Sequence, residues 1–403
     1  MKSVEQAPWD DAEEEEGKTL DWFSAQRTGE LVEHWDELKQ LLPADWERQA
    51  KLTHAFQVRR GEGFANPETL LRVMLMHVAQ GASLRMTAQQ AAAGGLVKVC
   101  DVALLKRLRQ CSDWFGWMTQ QLVGELVAPL VCVGPPALAG HQLRLVDGSV
   151  VCGLGGKGAQ WRLHYSLDLP QMRCREVRLT THHEAESLAG FRWQAGDIAV
   201  ADRNFAKTSG IAHVLERQAD VIVRAMLHEP CLHDEHGKRI APLALLRGLP
   251  EQGIGDWPVW LQAGPRSIPL RLVAWKMPSA QAQQARERVR KYGVKRQQPP
   301  RPDTLEAAGY VFLLTSLMSM SASTVLALYR MRWQIEVAFK RLKSLLQLGA
   351  LKKTDSASAR AWLQGKLLVA CLIEKMIVVG DLFSPRASQG GRGERRAAAL
   401  PMA

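Results

Sequence analysis

The apolar residues of this chain change their period once, near the Gly-Pro-Pro stretch at residues 134–136, and this change constrains the fold more than any other feature. From about residue 67 to 133, apolar residues recur every three or four positions, which predicts helices. Short β-like runs follow, with one helix predicted at 208–218. The runs are QLRLVDGSVV, WRLHYSLDL, CREVRLTT, DIAVAD and ADVIVR. We therefore predict an all-helical N-terminal domain over residues 1–138 and an α/β fold after it.

A further change of composition predicts that this α/β domain is interrupted. Residues 228–308 bring glycine- and proline-rich turns, the short strands WPVWLQ and LRLVAWK, and the basic run ARERVRKYGVKRQQPPR. One more strand, YVFLLTSL, and a long helix over 323–346 follow. The pattern predicts a sheet domain in two parts, 139–227 and 309–383, around a mostly β insertion domain at 228–308. The acidic start, residues 1–20, and the Gly-, Arg- and Ser-rich end, residues 384–403, are typical of solvated or disordered segments.

The charge balance favours a polyanionic partner such as nucleic acid. Lysine and arginine total 52 against 41 acids, which gives a net charge of +11 and a pI near 9.4. The first 20 residues hold two lysines and seven acids, net −5, so the rest of the chain carries +16.

The cysteines and the apolar runs favour a cytoplasmic protein. The seven cysteines are scattered and never form a C-x-x-C pair, which argues against a disulfide framework or a zinc ribbon. The apolar run from Leu367 carries Glu374 and Lys375 in its middle, so we predict no membrane span.

The segment YRMRWQIEVAFKRLKSLL, which begins at Tyr329, is the most informative part of the chain. On a single helix, Tyr329, Arg332, Glu336 and Lys343 fall within about 60° of one another. The opposite face then holds the apolar positions Met331, Ala338, Leu342 and Leu345. An ordinary amphipathic surface helix with i,i+4 ion pairs is the competing interpretation.

Two aspartates strengthen the catalytic interpretation of Glu336. Asp147 lies in the strand-like run LRLVDGS, and Asp202 ends the run DIAVAD where a strand passes into a helix. Each has a structural alternative, since Asp-Gly is a common turn pair and aspartate a common helix cap. Carboxylates gathered at strand ends suit magnesium or manganese, and two such ions can support an in-line displacement at a phosphodiester.

With these residues the chain resembles the insertion-sequence-four family of bacterial DDE transposases. Its Tyr329, Arg332, Glu336 and Lys343 match that family's Y-R-E-K signature, and LVDGS, GDIAVADRNF and YVFLLTSL resemble its blocks in the same order. The resemblance covers roughly residues 65–380. It implies a ribonuclease-H-like core in which Asp147, Asp202 and Glu336 hold Mg²⁺, with Mn²⁺ as a substitute, and in which Tyr329, Arg332 and Lys343 contact DNA phosphates. Asn204 departs from the pattern, because many relatives have glycine there.

The resemblance also suggests residues that bind DNA. Trp275 is a candidate for stacking on a flipped base, although a tryptophan buried in the insertion's own sheet is an equal alternative. In the basic run, Arg286, Arg288, Arg290 and Lys291 are candidate phosphate contacts, with a merely solvated loop as the alternative. In the N-terminal domain, a helix, a Gly-Gly turn and a second helix capped by Asp101 suggest a helix-turn-helix or a plain helical hairpin. The candidate DNA contacts on that second helix are Lys106, Arg107 and Arg109.

The predicted function is therefore that of a DNA transposase. It would bind the terminal inverted repeats of its insertion sequence, hydrolyse phosphodiesters there and transfer the 3′ ends to target DNA, as a homodimer associated with the nucleoid. Two alternatives stay open from the sequence: a decayed copy or nuclease without strand transfer, and a DNA-binding regulator.

Overall fold

A computed structural model of the chain describes residues 35–57, 63–126, 138, 140–153, 159–169, 172–295, 297–345, 351, 353 and 355–383. The described residues within 1–126, 153–157 and 342–403 form one compact unit, and those within 127–152 and 158–341 form a second. The acidic start and the tail at 384–403 lie outside the described residues. No helix within the described ranges is both long and apolar enough to cross a membrane.

Helices make up the first part of the chain, as the apolar period predicts. They are α1 (Trp35–Gln40), α2 (Trp46–Leu52), α3 (Pro67–Gln80), α4 (Leu84–Ala93), α5 (Asp101–Gln110) and α6 (Ser112–Leu126). Local chemistry sets their ends: Asn66 caps α3 by accepting from the Thr69 N–H, and Ser83 caps α4 in the same way from Met86. One detail was predicted wrongly, because Cys100 is the N-cap of α5 and Asp101 its first residue.

The five strands predicted after residue 138 are all present. They are β1 (Gln142–Cys152), β2 (Ala159–Asp168), β3 (Arg173–Thr181), β4 (Asp197–Ala201) and β5 (Asp220–Arg224). β1 pairs antiparallel with β2 and parallel with β4, and β4 pairs parallel with β5. All five residues of β4 are buried, which explains its continuous apolar run. The predicted helix after β4 is α7 (Thr208–Leu215), which ends three residues earlier than expected.

The segment 228–308 continues this sheet instead of forming a separate one. It contains β6 (Leu232–His233), β7 (Arg239–Ile240), α8 (Pro242–Arg247), β8 (Ile254–Ala263), β9 (Arg266–Lys276), α9 (Ser279–Lys295) and α10 (Pro302–Ala307). The strand β10 (Tyr310–Thr315) joins β5 to β9, which gives the strand order β3-β2-β1-β4-β5-β10-β9-β8-β6-β7. The expectation of a mostly β insertion is incomplete, because most of the basic run forms α9. The helix α9 is rich in Ala, Gln, Arg and Lys, which favour helix.

The helix predicted over 323–346 is in fact two helices, α11 (Ala322–Arg330) and α12 (Trp333–Leu345). Between them the N–H groups of Met331 and Arg332 bond to carbonyls three residues back, which interrupts the i,i+4 ladder. The single continuous helix predicted for the signature residues is therefore wrong, although Arg332 and Glu336 still pair with each other. The predicted apolar face is also only partly right, because the buried residues of α12 include Ile335, Phe339 and Leu342, whereas Met331 and Ala338 are only half-buried.

The last helix, α13 (Ser356–Phe383), packs against α6, α3 and α5. The sequence pattern predicts residues 309–383 together in the second part of the sheet domain. The described residues from 342 onward instead group with the N-terminal helices, because α13 buries apolar residues such as Trp362, Leu368 and Leu372 in this helical unit.

Candidate active site

Asp147 lies inside β1, opposite Tyr165 of β2. The turn alternative for the Asp-Gly pair is therefore wrong, since Gly148 is also paired within the strand, with His164. The Gly148 backbone N–H donates to Asp147 Oδ1 at 2.7 Å. The Asp147 side chain is 19% exposed, so it is partly shielded from water yet accessible to a ligand.

Asp202 follows β4 directly, as the sequence predicts. The strands β1 and β4 are parallel, and Val146 lies opposite Ala201. Asp147 and Asp202 each follow one member of this pair, so the two aspartates lie side by side. Asp202 Oδ1 accepts a hydrogen bond of 2.8 Å from the Asn204 N–H and caps the 3₁₀ turn Arg203–Phe205. The capping interpretation of Asp202 is thus correct, and it is compatible with a place in the site.

Arg332 connects Glu336 to Asp147. Its Nη2 lies 2.5 Å from Glu336 Oε1, and its Nη1 lies 3.9 Å from Asp147 Oδ2. Arg332 is 21% exposed and Glu336 is 55% exposed. Two signature residues and the first aspartate therefore meet through one guanidinium group, although they come from α12, the α11–α12 junction and β1.

Burial and neighbouring carboxylates make the charged form of Asp147 unfavourable. Burial raises the pKa of Asp147 to about 7, and the neighbouring Asp202 and Glu186 carboxylates act in the same direction. The Gly148 N–H and Arg332 oppose this rise. An aspartate whose pKa is shifted this far, beside other carboxylates, is typical of a functional site.

Tyr329 belongs to the same environment. Burial raises the pKa of its phenol, and the charge of Asp202 adds to this, whereas Arg332 and Arg224 lower it. Burial works against the charge of Arg332, but Tyr329, Glu336 and Asp147 raise its pKa overall. Arg224, at the end of β5, is a cation near Tyr329 that the sequence pattern did not single out.

The chemistry of the three predicted ligands, but not their present arrangement, suits a hard divalent cation. Asp147, Asp202 and Glu336 offer only carboxylate oxygens, which magnesium and manganese prefer. Among the described residues, no three Asp, Glu, His or Cys side chains are arranged to hold a metal ion together. The guanidinium of Arg332 instead lies between Glu336 and Asp147, where it supplies positive charge.

Trp275 lies on β9 and is half-buried, not enclosed in the sheet. The guanidinium of Arg330 lies 5.5 Å from its ring centroid. On α9, Arg288, Arg290 and Lys291 are exposed, whereas the Arg286 Nε donates to the Leu305 carbonyl. The alternative of a solvated loop is thus wrong for this run, since these residues are helical.

The predicted cations of α5 lie in the helical unit. Lys106 is exposed, Arg107 bonds weakly to Gln110 and to the Gln57 carbonyl, and Arg109 pairs with Asp355. The α4–α5 connection spans residues 94–100, which is longer than the three or four residues usual in a helix-turn-helix. The Lys343 side chain lies outside the described part of the chain.

Comparison with known proteins assigns the family. The sequence matches the family described as transposase DDE domain over residues 179–372, which include Asp202 and Glu336. It is 34% identical over 365 residues to the putative transposase InsL for insertion sequence element IS186A of Escherichia coli (strain K12), across 88% of this chain and 97% of that relative. The transposase for insertion sequence element IS421 of Escherichia coli is also 34% identical, over 366 residues with the same coverage. Transposase domains of this type act on DNA and use divalent metal ions. The chain therefore belongs to the DDE transposases of bacterial insertion sequences.

Proposed function

We propose that this protein binds the terminal inverted repeats of its own insertion sequence, hydrolyses the phosphodiester at each end and joins the freed 3′ ends to target DNA. The observation that carries the proposal is the position of Asp147 on β1 and of Asp202 directly after the neighbouring parallel strand β4, with Glu336 linked to Asp147 through Arg332. The order β3-β2-β1-β4-β5, three antiparallel strands followed by two parallel ones, supports a ribonuclease-H-like core.

Asp147, Asp202 and Glu336 would hold Mg²⁺, with Mn²⁺ as a substitute. Bound divalent ions would activate a water or a 3′ hydroxyl and neutralise charge on the leaving oxygen. Asp147 and Asp202 are set on the sheet and on a capped turn, so they are preorganised. Glu336 is exposed and comes from a separate helix, and its carboxylate pairs with Arg332 in this structure.

Arg332, Tyr329 and Lys343 would contact phosphates near the end of the element. A guanidinium binds phosphate with two parallel hydrogen bonds, so Arg332 is suited to exchange its carboxylate partners for the DNA backbone. Tyr329 adds a phenol beside Arg332 and Arg224.

Other surfaces would hold the DNA further from the reaction. The exposed cations of α9 supply phosphate contacts, and Lys106, Arg107 and Arg109 on α5 would take part in end recognition. Trp275 would stack on an unpaired base at the cleaved end. Two protomers on paired ends form the expected working assembly at the nucleoid.

The test uses labelled terminal DNA of the element with Mg²⁺ and compares the native protein with Glu336→Gln. Native cleavage and joining, with loss of both in the variant and unchanged DNA binding, would support the proposal. Cleavage without joining would favour a nuclease. Binding without metal-dependent cleavage would favour a decayed copy or a DNA-binding regulator.

A further inference from the structure

Glu186 lies beside the segment that follows Asp202, although the reaction proposed above gives it no role. It belongs to the connection between β3 and the 3₁₀ turn Leu188–Gly190, and its side chain is only 16% exposed. Its Oε2 accepts a hydrogen bond of 3.3 Å from Asn204 Nδ2. Its main-chain carbonyl accepts a bond of 3.3 Å from Lys207 Nζ. Glu186 is thus held against this segment at two points.

The other side of the Glu186 carboxylate lies against β1 at Gly148. A Cβ atom built on Gly148 would lie 2.4 Å from Glu186 Oε1 and 2.8 Å from its Cδ, closer than real Cβ contacts. A side chain at residue 148 would therefore force the Glu186 carboxylate to move from its present position. Arg162 Nε, 3.8 Å from Oε1, supplies a nearby positive charge.

Each residue that the Glu186 carboxylate contacts, Asn204 or Gly148, also donates a backbone hydrogen bond to one of the two aspartates. The Asn204 N–H donates to Asp202 Oδ1 at 2.8 Å, so the residue that Glu186 holds by its side chain also holds Asp202 by its backbone. The Gly148 N–H donates to Asp147 Oδ1 at 2.7 Å. Glu186 therefore lies between the two elements whose separation sets the spacing of the aspartates.

We propose that Glu186 is a positioning residue that fixes the Asp147 and Asp202 carboxylates relative to each other, by packing on Gly148 and accepting a hydrogen bond from Asn204. The inference rests on the proposed function, since it concerns the geometry of the same site. It differs from a role as a further metal ligand, because the contacts of Glu186 are with the supports of the aspartates.

The experiment measures Mn²⁺ binding by calorimetry on the full chain without DNA, together with the Mn²⁺ concentration that gives half-maximal end cleavage. The variants are Glu186→Ala, Glu186→Gln, Asn204→Ala and the double variant of both alanines. We expect each single alanine variant to weaken Mn²⁺ binding about 10-fold, a loss typical of residues that orient metal ligands. The double variant should be no weaker than Glu186→Ala, because the two residues act through one another. Glu186→Gln should stay within about threefold of native, because its amide oxygen still accepts from Asn204.

Two controls make the result specific. Glu184→Ala removes a carboxylate from the same segment that pairs with Arg178, and it should bind Mn²⁺ like the native protein. Asp202→Asn removes a predicted metal ligand, so it gives the calorimetric signal expected when the Mn²⁺ site is lost.

Equal losses in Glu186→Gln and Glu186→Ala, or additive losses in the double variant, would overturn the positioning role. Native protein that binds Mn²⁺ but cuts no terminal DNA would overturn the proposed function, while calorimetry would still decide the role of Glu186. A native protein that binds no Mn²⁺ would overturn both.

Discussion

Asp147 in the sheet unit and Asp355 in the helical unit respond to their surroundings in opposite ways. Asp355 accepts hydrogen bonds from the hydroxyl and the N–H of Ser358 and pairs with Arg109 at 3.1 Å, which together hold its pKa well below the ordinary value. For Asp147, burial and the nearby Asp202 and Glu186 raise the pKa to about 7. One carboxylate is stabilised as an anion at a helix start, and the ionised form of the other is disfavoured chiefly by burial.

The same contrast holds for the ion pairs around them. In the helical unit, the cations Arg109, Lys375 and Arg360 pair with Asp355, Glu125 and Asp113. In the sheet unit, Arg332 faces two carboxylates, Glu336 and Asp147. Each of these acids in the helical unit thus has a cation of its own, whereas Asp147 and Glu336 share one guanidinium group.

The largest effect is expected from Asp202→Asn. Loss of this carboxylate should lower the rate of end cleavage by on the order of 10³-fold, the size of loss that follows removal of one group acting on transition-state charge. The amide oxygen can still cap the turn at Asn204, so the free energy of unfolding should change by less than about 1 kcal/mol. Gel assays of cleavage and urea unfolding test this pair of outcomes. Cleavage at the native rate would remove Asp202 from the reaction.

A smaller effect should follow from Asp147→Asn in metal-free protein. Because the folded-state pKa of Asp147 is above its unfolded value, the contribution of its protonated form is present below about pH 4 and is lost as pH rises through about 7. Replacement by a neutral amide should therefore stabilise the protein at pH 8 by about 2 to 4 kcal/mol and leave it unchanged near pH 4. Urea unfolding with EDTA across this pH range provides the measurement. A variant with the native pH profile would show that the ionised carboxylate is not disfavoured.

Asp355→Ala should destabilise the protein, whereas Asp147→Asn should stabilise it. It removes the hydrogen bonds at the start of α13 and the partner of Arg109, so the free energy of unfolding should fall by about 1 to 2 kcal/mol. The cleavage rate of the folded protein should stay native. Asp113→Ala is the matched control, because this exposed partner of Arg360 should contribute less than about 0.5 kcal/mol. Equal losses in both variants would contradict the capping role of Asp355.

Much of the sheet unit could be predicted from local patterns. Continuous or alternating apolar runs locate β1 to β5, and a parallel pairing of β1 with β4 brings Asp147 and Asp202 to neighbouring positions. The break between α11 and α12 could not be predicted in this way, because Met331 and Arg332 are not helix breakers. The break depends on bonds to Leu328 and Tyr329.

Contacts distant in sequence explain the other differences. Glu186 has no motif around it, and its partner Asn204 lies 18 positions away. Gly148 looks like part of a turn in the sequence, whereas its lack of a side chain makes room for Glu186. The grouping of α13 with the N-terminal helices involves contacts such as Lys375 with Glu125, 250 positions apart. The spacing of apolar residues along the chain cannot reveal a pairing over such a distance in sequence.

The cations of the sheet unit also differ in their pairing, and we expect this difference to have the smallest effect, on the salt dependence of DNA binding. Arg247 donates two hydrogen bonds to Glu306, at 2.8 and 2.7 Å, whereas Arg288 and Arg290 are exposed on α9. Each phosphate contact contributes about 0.9 to the slope of log K against log salt, so Arg288→Gln with Arg290→Gln should reduce that slope by about two. Arg247→Gln should leave it unchanged, because Glu306 already neutralises that charge. Fluorescence anisotropy with labelled terminal DNA between about 50 and 200 mM salt measures both slopes. If the double variant kept the native slope, α9 would be a solvated helix, and the phosphate contacts would lie elsewhere.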